Sequence, residues 1–181
     1  MNNNIDLVIF GARGDLSKRK LFPALYQLDK AGLLADSVRI AGVAREDMDS
    51  VSFIKQMHES LQATLDSADW DDVVWKKFSQ RLQYIRIDFS QKKQFSALKD
   101  WSLEKRTMIY YMATPPSIFG SICKHLDEAG CVGKTSRIVL EKPIGHDLHS
   151  SQEVNDTVGR YFPERNIYRI DHYLGKETVQ N

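Results

Sequence analysis

The stretch VIFGARGDLSKRKL, residues 8 to 21, decides the fold of this 181-residue chain. An apolar run stops at Gly11, the chain turns through Gly14, and leucines at helical spacing follow as far as Gly32, which suits a helix C-cap. This order predicts a strand, a tight turn and a helix. Glycines at such a turn let the backbone approach a phosphate, and the first amides of the helix donate hydrogen bonds to it.

The same alternation continues along the chain. Five further apolar runs have strand character, and the segments between them carry apolar residues at helical intervals. Strands that alternate with helices predict a parallel sheet with helices on both faces, and a ligand crevice outside the carboxyl ends of the strands. The expected strands are 5–11, 37–44, 84–88, 107–113, 136–140 and 166–170, and the expected helices are 17–31, 51–65, 70–82, 91–101, 116–129 and 148–160.

The composition is that of one ordinary globular domain. The formal charge is +1 and 27% of the residues are charged, with both signs, so nucleic acid is not an expected partner. No run has the length of a membrane span, and the start lacks the pattern of a signal peptide. Cys123 and Cys131 form no CxxC pair and have no ligand cluster nearby. We interpret them as reduced thiols of a cytoplasmic protein without a metal, with a structural disulfide as the alternative.

The turn after the first strand predicts a dinucleotide site. Its match to GxGxxG is poor, because Arg13 and Leu16 occupy two positions of the pattern, and a plain tight turn is the alternative. Arg45 follows the second expected strand, where an acid would hold the ribose of NAD and an arginine accommodates the 2'-phosphate of NADP. We therefore predict NADP. Glu46 and Asp47 leave some use of NAD open, and a solvated surface arginine is the alternative for Arg45.

The segment EKPIG, residues 141 to 145, follows another apolar strand. Lys142, at the carboxyl end of that strand, can reach both a nicotinamide and a substrate hydroxyl. Pro143 would fix the backbone beside it, with a cis peptide as one way of doing so. An exposed lysine beside a loop proline is the alternative. EKP segments also occur in another family of sugar oxidoreductases, so this segment alone does not select the substrate.

The segment RIDHYLGKE, residues 169 to 177, selects the substrate more sharply. His172 and Lys176 are four residues apart, so with Tyr173 they would direct donors at one phosphate if a helix follows the strand. Asp171 would point elsewhere and orient a histidine base. The alternative makes His172 a helix cap and Lys176 a solvated residue.

Taken together, GARGDLSKRKL, EKPIG and RIDHYLGKE resemble the three signature segments of the glucose-6-phosphate dehydrogenases, in the order of that family and over nearly the whole chain. The prolines of ATPPSIFG, residues 113 to 120, fit as well. The resemblance implies a doubly wound, mostly parallel Rossmann-type sheet in residues 1 to 181, with residues 171 to 181 beginning the substrate-site helix. We expect a protein truncated before the β+α domain, which in this family carries the histidine base and the contacts of a homodimer or homotetramer.

The resemblance also implies roles for individual residues. Lys142 and Asp171 would be catalytic, Asp171 by supporting the missing histidine. Glucose 6-phosphate would be held by Lys20, Lys142, His172, Tyr173 and Lys176. NADP would be held by Gly11, Ala12, Arg13, Gly14, Asp15, Leu16, Ser17, Lys18, Arg45, Phe119 and Lys142, although Arg13 stands where many members have a small hydroxyl residue.

The implied activity is oxidation of glucose 6-phosphate at C1 to 6-phosphogluconolactone, with hydride transfer to NADP, the first step of the oxidative pentose phosphate pathway. For these 181 residues alone we expect cofactor binding without turnover, because the histidines at 58, 125, 146 and 149 lie in or beside expected helices and offer no substitute base. The alternatives are another EKP-type sugar oxidoreductase and a non-enzymatic nucleotide-binding module. A phosphotransferase is disfavoured, because the sequence has no GxxxxGK[ST] loop.

Overall fold

One parallel sheet organises the molecule. The computed structural model describes residues 4–142, 144 and 147–170. Its strands are β1 (Ile5–Phe10), β2 (Arg39–Ala44), β3 (Leu82–Arg86), β4 (Thr107–Met112), β5 (Arg137–Glu141) and β6 (Ile167–Ile170). They pair in the order β3-β2-β1-β4-β5-β6, and every pairing is parallel. The expected doubly wound α/β sheet is confirmed.

Helices connect the strands at nearly the expected places. They are α1 (Phe22–Lys30), α2 (Ser50–Thr64), α3 (Asp72–Ser79), α4 (Ser96–Trp101), α5 (Phe119–Glu128) and α6 (Leu148–Gly159). Helix α3 begins two residues later than expected, because the Asp71 carboxylate accepts hydrogen bonds from the amides of Val73 and Val74 and so caps the helix there. The α-helical parts of α1 and α4 begin five residues later than expected. None of these helices has both the length and the apolar composition that crossing a membrane requires.

The helices form two layers, and this division places the ligand crevice. Helices α1 to α3 pack on one face of the sheet, over β1 to β3, and α4 to α6 pack on the other face. Strands β1 and β4 are neighbours in the sheet, but the helix that follows β1 lies on one face and the helix that follows β4 lies on the other. Their connections therefore leave in opposite directions at the carboxyl ends of these two strands, where a doubly wound sheet binds its ligand.

Both cysteines are buried free thiols. Burial raises the pKa of Cys123 to about 12 and that of Cys131 to about 11. Both groups are therefore protonated thiols near neutral pH, and the reactive thiolate form is scarce. The structure thus shows two free thiols, and the absence of a role for them in chemistry stays a prediction.

A buried carboxylate holds the amino-terminal edge of the sheet, opposite the crevice. Asp6 is fully buried and accepts hydrogen bonds from Nε of Arg39 at 2.8 Å and from Nε of Arg106 at 2.6 Å. Arg106 also donates to the main-chain oxygens of Ile5 at 2.8 Å and Ser37 at 2.5 Å. This network aligns the starts of β1, β2 and β4, and the sequence pattern did not predict it.

We expect Asp6→Asn to lower the free energy of unfolding by about 3 kcal/mol, because two largely buried guanidinium groups would lose their carboxylate partner. Chemical denaturation of the variant and the wild type measures this difference. Glu164→Gln is the control, since it removes a carboxylate that is exposed and pairs with Arg169 at 2.6 Å, and it should leave stability unchanged. A loss no larger than that of the control would contradict a stabilising role for the Asp6 network.

Candidate functional site

The turn after β1 packs closely against the main chain at the ends of two neighbouring strands. Gly11 has a φ of +81°, and its amide and that of Ala12 donate to the carbonyl oxygen of Val43 at 3.0 and 3.2 Å. A Cβ atom on Gly11 would lie 2.3 Å from the carbonyl oxygen of Ala113, at the end of β4. Only glycine can adopt this φ readily and also fit where there is no space for a Cβ atom. The turn is therefore held between the carboxyl ends of β2 and β4.

The helix begins inside this turn. The helical conformation starts at Asp15, so the amides of its first turn have no partners within the helix and can donate to an anion. The amide of Gly14 donates to the carbonyl oxygen of Gly11 at 3.0 Å, and the buried hydroxyl of Ser17 donates to the same oxygen at 2.9 Å. Because its hydroxyl is used inside the turn, Ser17 can offer a phosphate only its amide.

A π-helical turn (Ser17–Leu21) precedes α1 and carries the lysines of the SKRK run. The periodicity of the sequence predicted an ordinary helix here, whereas π-helical turns are rare and recur at functional sites. Lys18 lines a groove of about 440 Å³ beside Ser60 and Thr64 of α2. Lys20 is exposed. The structure therefore places Lys18 on the α2 side of the turn, away from the ends of β4 and β5.

A second guanidinium lies near the end of β2. Arg45 is exposed and directly follows that strand, as expected. Arg13 reaches across from the turn: its Nη1 lies 3.5 Å from Oε1 of Glu46, and its Nε donates to Oε1 of Gln56 at 3.1 Å. The loop after β2 thus has arginines on two sides. The sequence alone left the role of Arg13 open.

Both acids that follow Arg45 have cationic partners. Glu46 pairs with Arg13, and Asp47 pairs with Nη1 of Arg86 at 3.1 Å. Arg86 also donates to the carbonyl oxygen of Arg45 at 3.3 Å, which ties the loop to the end of β3. An acid at this position holds the ribose hydroxyls of NAD in dinucleotide sites. To hold a ribose hydroxyl here, Glu46 or Asp47 would have to break its ion pair with an arginine.

A cleft of about 310 Å³ opens at the carboxyl ends of β4 and β5. The hydroxyl oxygen of Thr114, on its wall, is buried and has no hydrogen-bond partner within the described part of the chain. An unsatisfied buried hydroxyl is unfavourable. The Thr114 hydroxyl therefore fits a site that a polar ligand completes. The cleft is lined by Leu16, Met112, Ala113, Thr114, Pro115, Pro116, Glu141 and Lys142.

Two contacts hold the EKP segment at this cleft. The hydroxyl of Tyr111 donates to Oε1 of Glu141, and the amide of Lys142 donates to the carbonyl oxygen of Ile170 at 3.0 Å. Burial, and then the neighbouring carboxylate, raises the pKa of Tyr111, so its hydroxyl remains a donor. The side chain of Lys142 is exposed at the cleft. Tyr111 was not predicted, because only the register of β4 and β5 reveals which residues face each other.

Phe119 does not line the cleft, so its expected place beside the nicotinamide is not supported. It is the first residue of α5, and its side chain is only 1% exposed, within the core beneath that helix. An aromatic residue after a strand end has the same appearance in a sequence whether its ring faces a ligand or the core. Pro115 and Pro116 line the cleft in its place.

The expected substrate residues Asp171, His172, Tyr173 and Lys176 lie outside the described residues, as does Pro143. Strand β6, which precedes four of them, ends on the same edge of the sheet as β1, because the two strands are parallel. Within residues 4–142, 144 and 147–170, no three His, Cys, Asp or Glu side chains are grouped as a metal site requires.

Comparisons with known proteins are consistent with this geometry. A family model described as "Glucose-6-phosphate dehydrogenase, NAD binding domain" matches residues 8–181. The glucose-6-phosphate 1-dehydrogenase of Dickeya dadantii is 46% identical over 177 residues, which are 97% of this chain and 36% of that protein. The corresponding protein of Gluconobacter oxydans is 44% identical over 180 residues, 97% of this chain and 37% of that protein.

Two solved structures are also similar. Glucose-6-phosphate 1-dehydrogenase from Mycobacterium avium superposes with a TM-score of 0.89 at 33% identity, covering 98% of this chain and 38% of that one. A glucose-6-phosphate dehydrogenase in complex with its substrate glucose-6-phosphate gives a TM-score of 0.85 with the same identity and coverage. The chain thus spans between 36% and 38% of the length of these four proteins.

Proposed function

The chain belongs to the glucose-6-phosphate dehydrogenase family, and from this premise we propose that residues 1–181 are the NADP-binding domain of an enzyme that oxidises glucose 6-phosphate at C1 to 6-phosphogluconolactone. A β+α domain would complete that enzyme. The supporting observation is the common edge of the sheet: the Gly11 turn, the arginines after β2 and Lys142 all lie at carboxyl ends of neighbouring parallel strands.

In this proposal the cofactor lies across the edge of the sheet. The first-turn amides after Gly14 hold its pyrophosphate, Arg45 and Arg13 hold its 2'-phosphate, and the cleft beside Thr114 and Lys142 receives its nicotinamide end. When bound, NADP supplies the acceptor for the C1 hydride. Because the ends of β4 and β5 form the cleft walls, they would fix the position of the ring.

The sugar would lie beside the cleft. Lys142 would donate to the C1 hydroxyl and to the nicotinamide end, and Tyr111 would keep the EKP segment in place through Glu141. Asp171 would support the histidine base of the β+α domain, since a carboxylate stabilises an imidazolium. The sugar and its phosphate would be held by Lys20, Lys142, His172, Tyr173 and Lys176.

The preference for NADP over NAD is supported by the charges after β2. Two arginines flank the loop, and both acids in it are paired. A guanidinium binds two phosphate oxygens at once, so a 2'-phosphate would recruit Arg45 and Arg13 together. For NAD to bind in this way, Glu46 or Asp47 would have to break its ion pair with an arginine and accept a hydrogen bond from a ribose hydroxyl instead.

We expect Arg45→Ala to raise the Kd for NADP by about 10- to 100-fold, the effect of losing a charge-assisted hydrogen bond, and to change the Kd for NAD by less than about 3-fold. Titration of each cofactor against wild type and variant measures both ratios. Arg13→Ala should act in the same direction. Arg160→Ala, an exposed arginine after α6, is the control. Equal losses for NADP and NAD would remove Arg45 from the cofactor site.

We also propose where in the cell the protein lies and which oligomer it forms. The buried, protonated thiols of Cys123 and Cys131 suit a reducing compartment, and we propose a cytoplasmic location. A formal charge of +1 offers no field for binding nucleic acid. We propose a homodimer or homotetramer for the full-length protein, formed through the β+α domain.

A further inference from the structure

The loop between β2 and α2, residues 45–49, is held in place by a tyrosine of β3. We name this segment the Arg45 loop. The hydroxyl of Tyr84 donates to the carbonyl oxygen of Glu46 at 2.8 Å. The amide of Tyr84 donates to the hydroxyl oxygen of Ser50, the first residue of α2, at 2.9 Å. One residue of β3 therefore contacts the chain near both ends of the Arg45 loop.

The end of β3 adds further contacts to the same loop. Arg86, the last residue of β3, donates from Nε to the carbonyl oxygen of Arg45 at 3.3 Å, and its Nη1 lies 3.1 Å from Oδ1 of Asp47. The amide of Ile87 donates to the carbonyl oxygen of Ala44 at 2.9 Å. Together with the Tyr84 hydroxyl, these groups occupy three successive carbonyl oxygens. The main chain on both sides of the Arg45 side chain is thus fixed from β3.

Tyr84 is itself held rigidly. It is only 8% exposed, and its ring packs against the ring of Phe53 in α2, with the centroids 5.2 Å apart. Burial, and then the negative charge of Glu46, raises the pKa of Tyr84, so its hydroxyl stays protonated and remains a donor near neutral pH. The Arg86 side chain, by contrast, is 56% exposed. Tyr84 is therefore the firmer of the two supports of the Arg45 loop.

We propose that Tyr84, supported by Arg86, is a positioning residue for the choice of cofactor: it holds the Arg45 loop so that the guanidinium of Arg45 meets the 2'-phosphate of NADP. The inference rests on the function proposed above. A loop that is ordered before binding loses less conformational entropy when the phosphate binds. NAD has no 2'-phosphate for Arg45 to bind, so its affinity should not depend on the Tyr84 hydroxyl. Tyr84 therefore acts on selectivity without touching the cofactor.

The test is Tyr84→Phe, which removes the hydroxyl and keeps the ring against Phe53. We expect the Kd for NADP to rise about 3- to 10-fold, the effect of losing one hydrogen bond, and the Kd for NAD to change by less than about 2-fold. Titration of each cofactor against the 181-residue chain measures both. Tyr110→Phe is the matched control, because that hydroxyl also donates to a main-chain oxygen, that of Cys131 at 2.6 Å, but in the α4 to α6 layer. The control should lower Tm and leave both Kd values unchanged.

The same substitution in an Arg45→Ala background separates positioning from a general structural role. If Tyr84 acts through Arg45, Tyr84→Phe should have no further effect on the Kd for NADP once the Arg45 side chain is gone. A hydroxyl that only stabilises the fold would weaken NADP binding by the same factor in both backgrounds, and this result would overturn the inference. Equal losses for NADP and NAD, or no loss for either, would overturn it as well.

Arg86→Gln is the second variant if Tyr84→Phe fails to fold, because the exposed side chain of Arg86 can be replaced without disturbing the core. Its effect on NADP should also vanish in the Arg45→Ala background, whereas an effect that persists there would contradict positioning through the loop. Loss of NADP affinity in Arg45→Ala with none in Tyr84→Phe would overturn this inference and leave the proposed function standing. A wild-type chain that binds neither cofactor would refute the proposed function, and the inference with it.

Discussion

Assayed by itself with glucose 6-phosphate and NADP, the 181-residue chain is expected to form NADPH at least about 10²-fold more slowly than a full-length relative, because a general base contributes roughly 10² to 10⁴ in rate. Family resemblance assigns that base to a histidine of the β+α domain. Positioning of the sugar by the same domain would add to the difference. The chain should nevertheless bind NADP, since the turn, the arginines and the cleft are all within it.

The described histidines support this expectation. The ring of His58 packs against two tryptophan rings, with centroids 5.1 and 5.0 Å apart. Nδ1 of His125 lies 3.1 Å from the carbonyl oxygen of Phe89, and Nδ1 of His149 lies 3.6 Å from the carboxylate of Glu153. None of these three rings lines the cleft at the ends of β4 and β5.

The measurement is the steady appearance of NADPH absorbance, with the Dickeya dadantii relative assayed beside the chain. A parallel titration of NADP shows whether the chain is folded and binds its cofactor, so that absence of activity is not confused with absence of structure. Turnover of the same order as that of the relative would show that these residues contain the base, and the assignment of catalytic roles would be wrong.

We expect Gly11→Ala to destabilise the domain by about 3 kcal/mol. A left-handed conformation costs an alanine about 1–2 kcal/mol, and forcing a methyl group into a filled space costs about 1–3 kcal/mol more. Here the Cβ would lie 2.3 Å from the carbonyl oxygen of Ala113. Relief of that overlap has to move the turn away from β4. The same variant should therefore lose most of its NADP affinity.

Gly32→Ala separates the cost of the left-handed conformation from the cost of the steric overlap. Gly32 also has a left-handed φ, of +70°, but a Cβ there would have no atom within 4 Å. This control should lose only about 1–2 kcal/mol and should bind NADP normally. Chemical denaturation and cofactor titration of the two variants measure the difference. Equal losses of stability, with NADP affinity intact in both, would show that the approach of the turn to β4 does not matter.

The order of strands and helices was predictable because it depends on local patterns. Apolar runs of strand length alternate with apolar residues at helical spacing, and the Gly11 turn marks the first βα unit. Once the strands are parallel and the crossovers right-handed, the carboxyl edge follows as the place for a ligand. The positions of Gly11, Arg45 and Lys142 on that edge were expected for this reason.

Other features depend on contacts between residues far apart in the chain. Arg13 pairs with Glu46 and Gln56, and Asp6 binds Arg106, and no pattern within a short window encodes such pairs. The π-helical turn has no distinct periodicity of its own over five residues. The core position of the Phe119 ring could not be predicted, because the local sequence is the same whether the ring faces the cleft or the core.

The sequence by itself determined the fold class, the family and the edge of the sheet at which chemistry would take place, because hydrophobic periodicity and glycine geometry act over a few residues. Only the tertiary structure decided which side chains meet at that edge and which acids are already paired. Those outcomes depend on strand register and layer packing, and both arise from contacts between distant segments that become neighbours only when the chain folds.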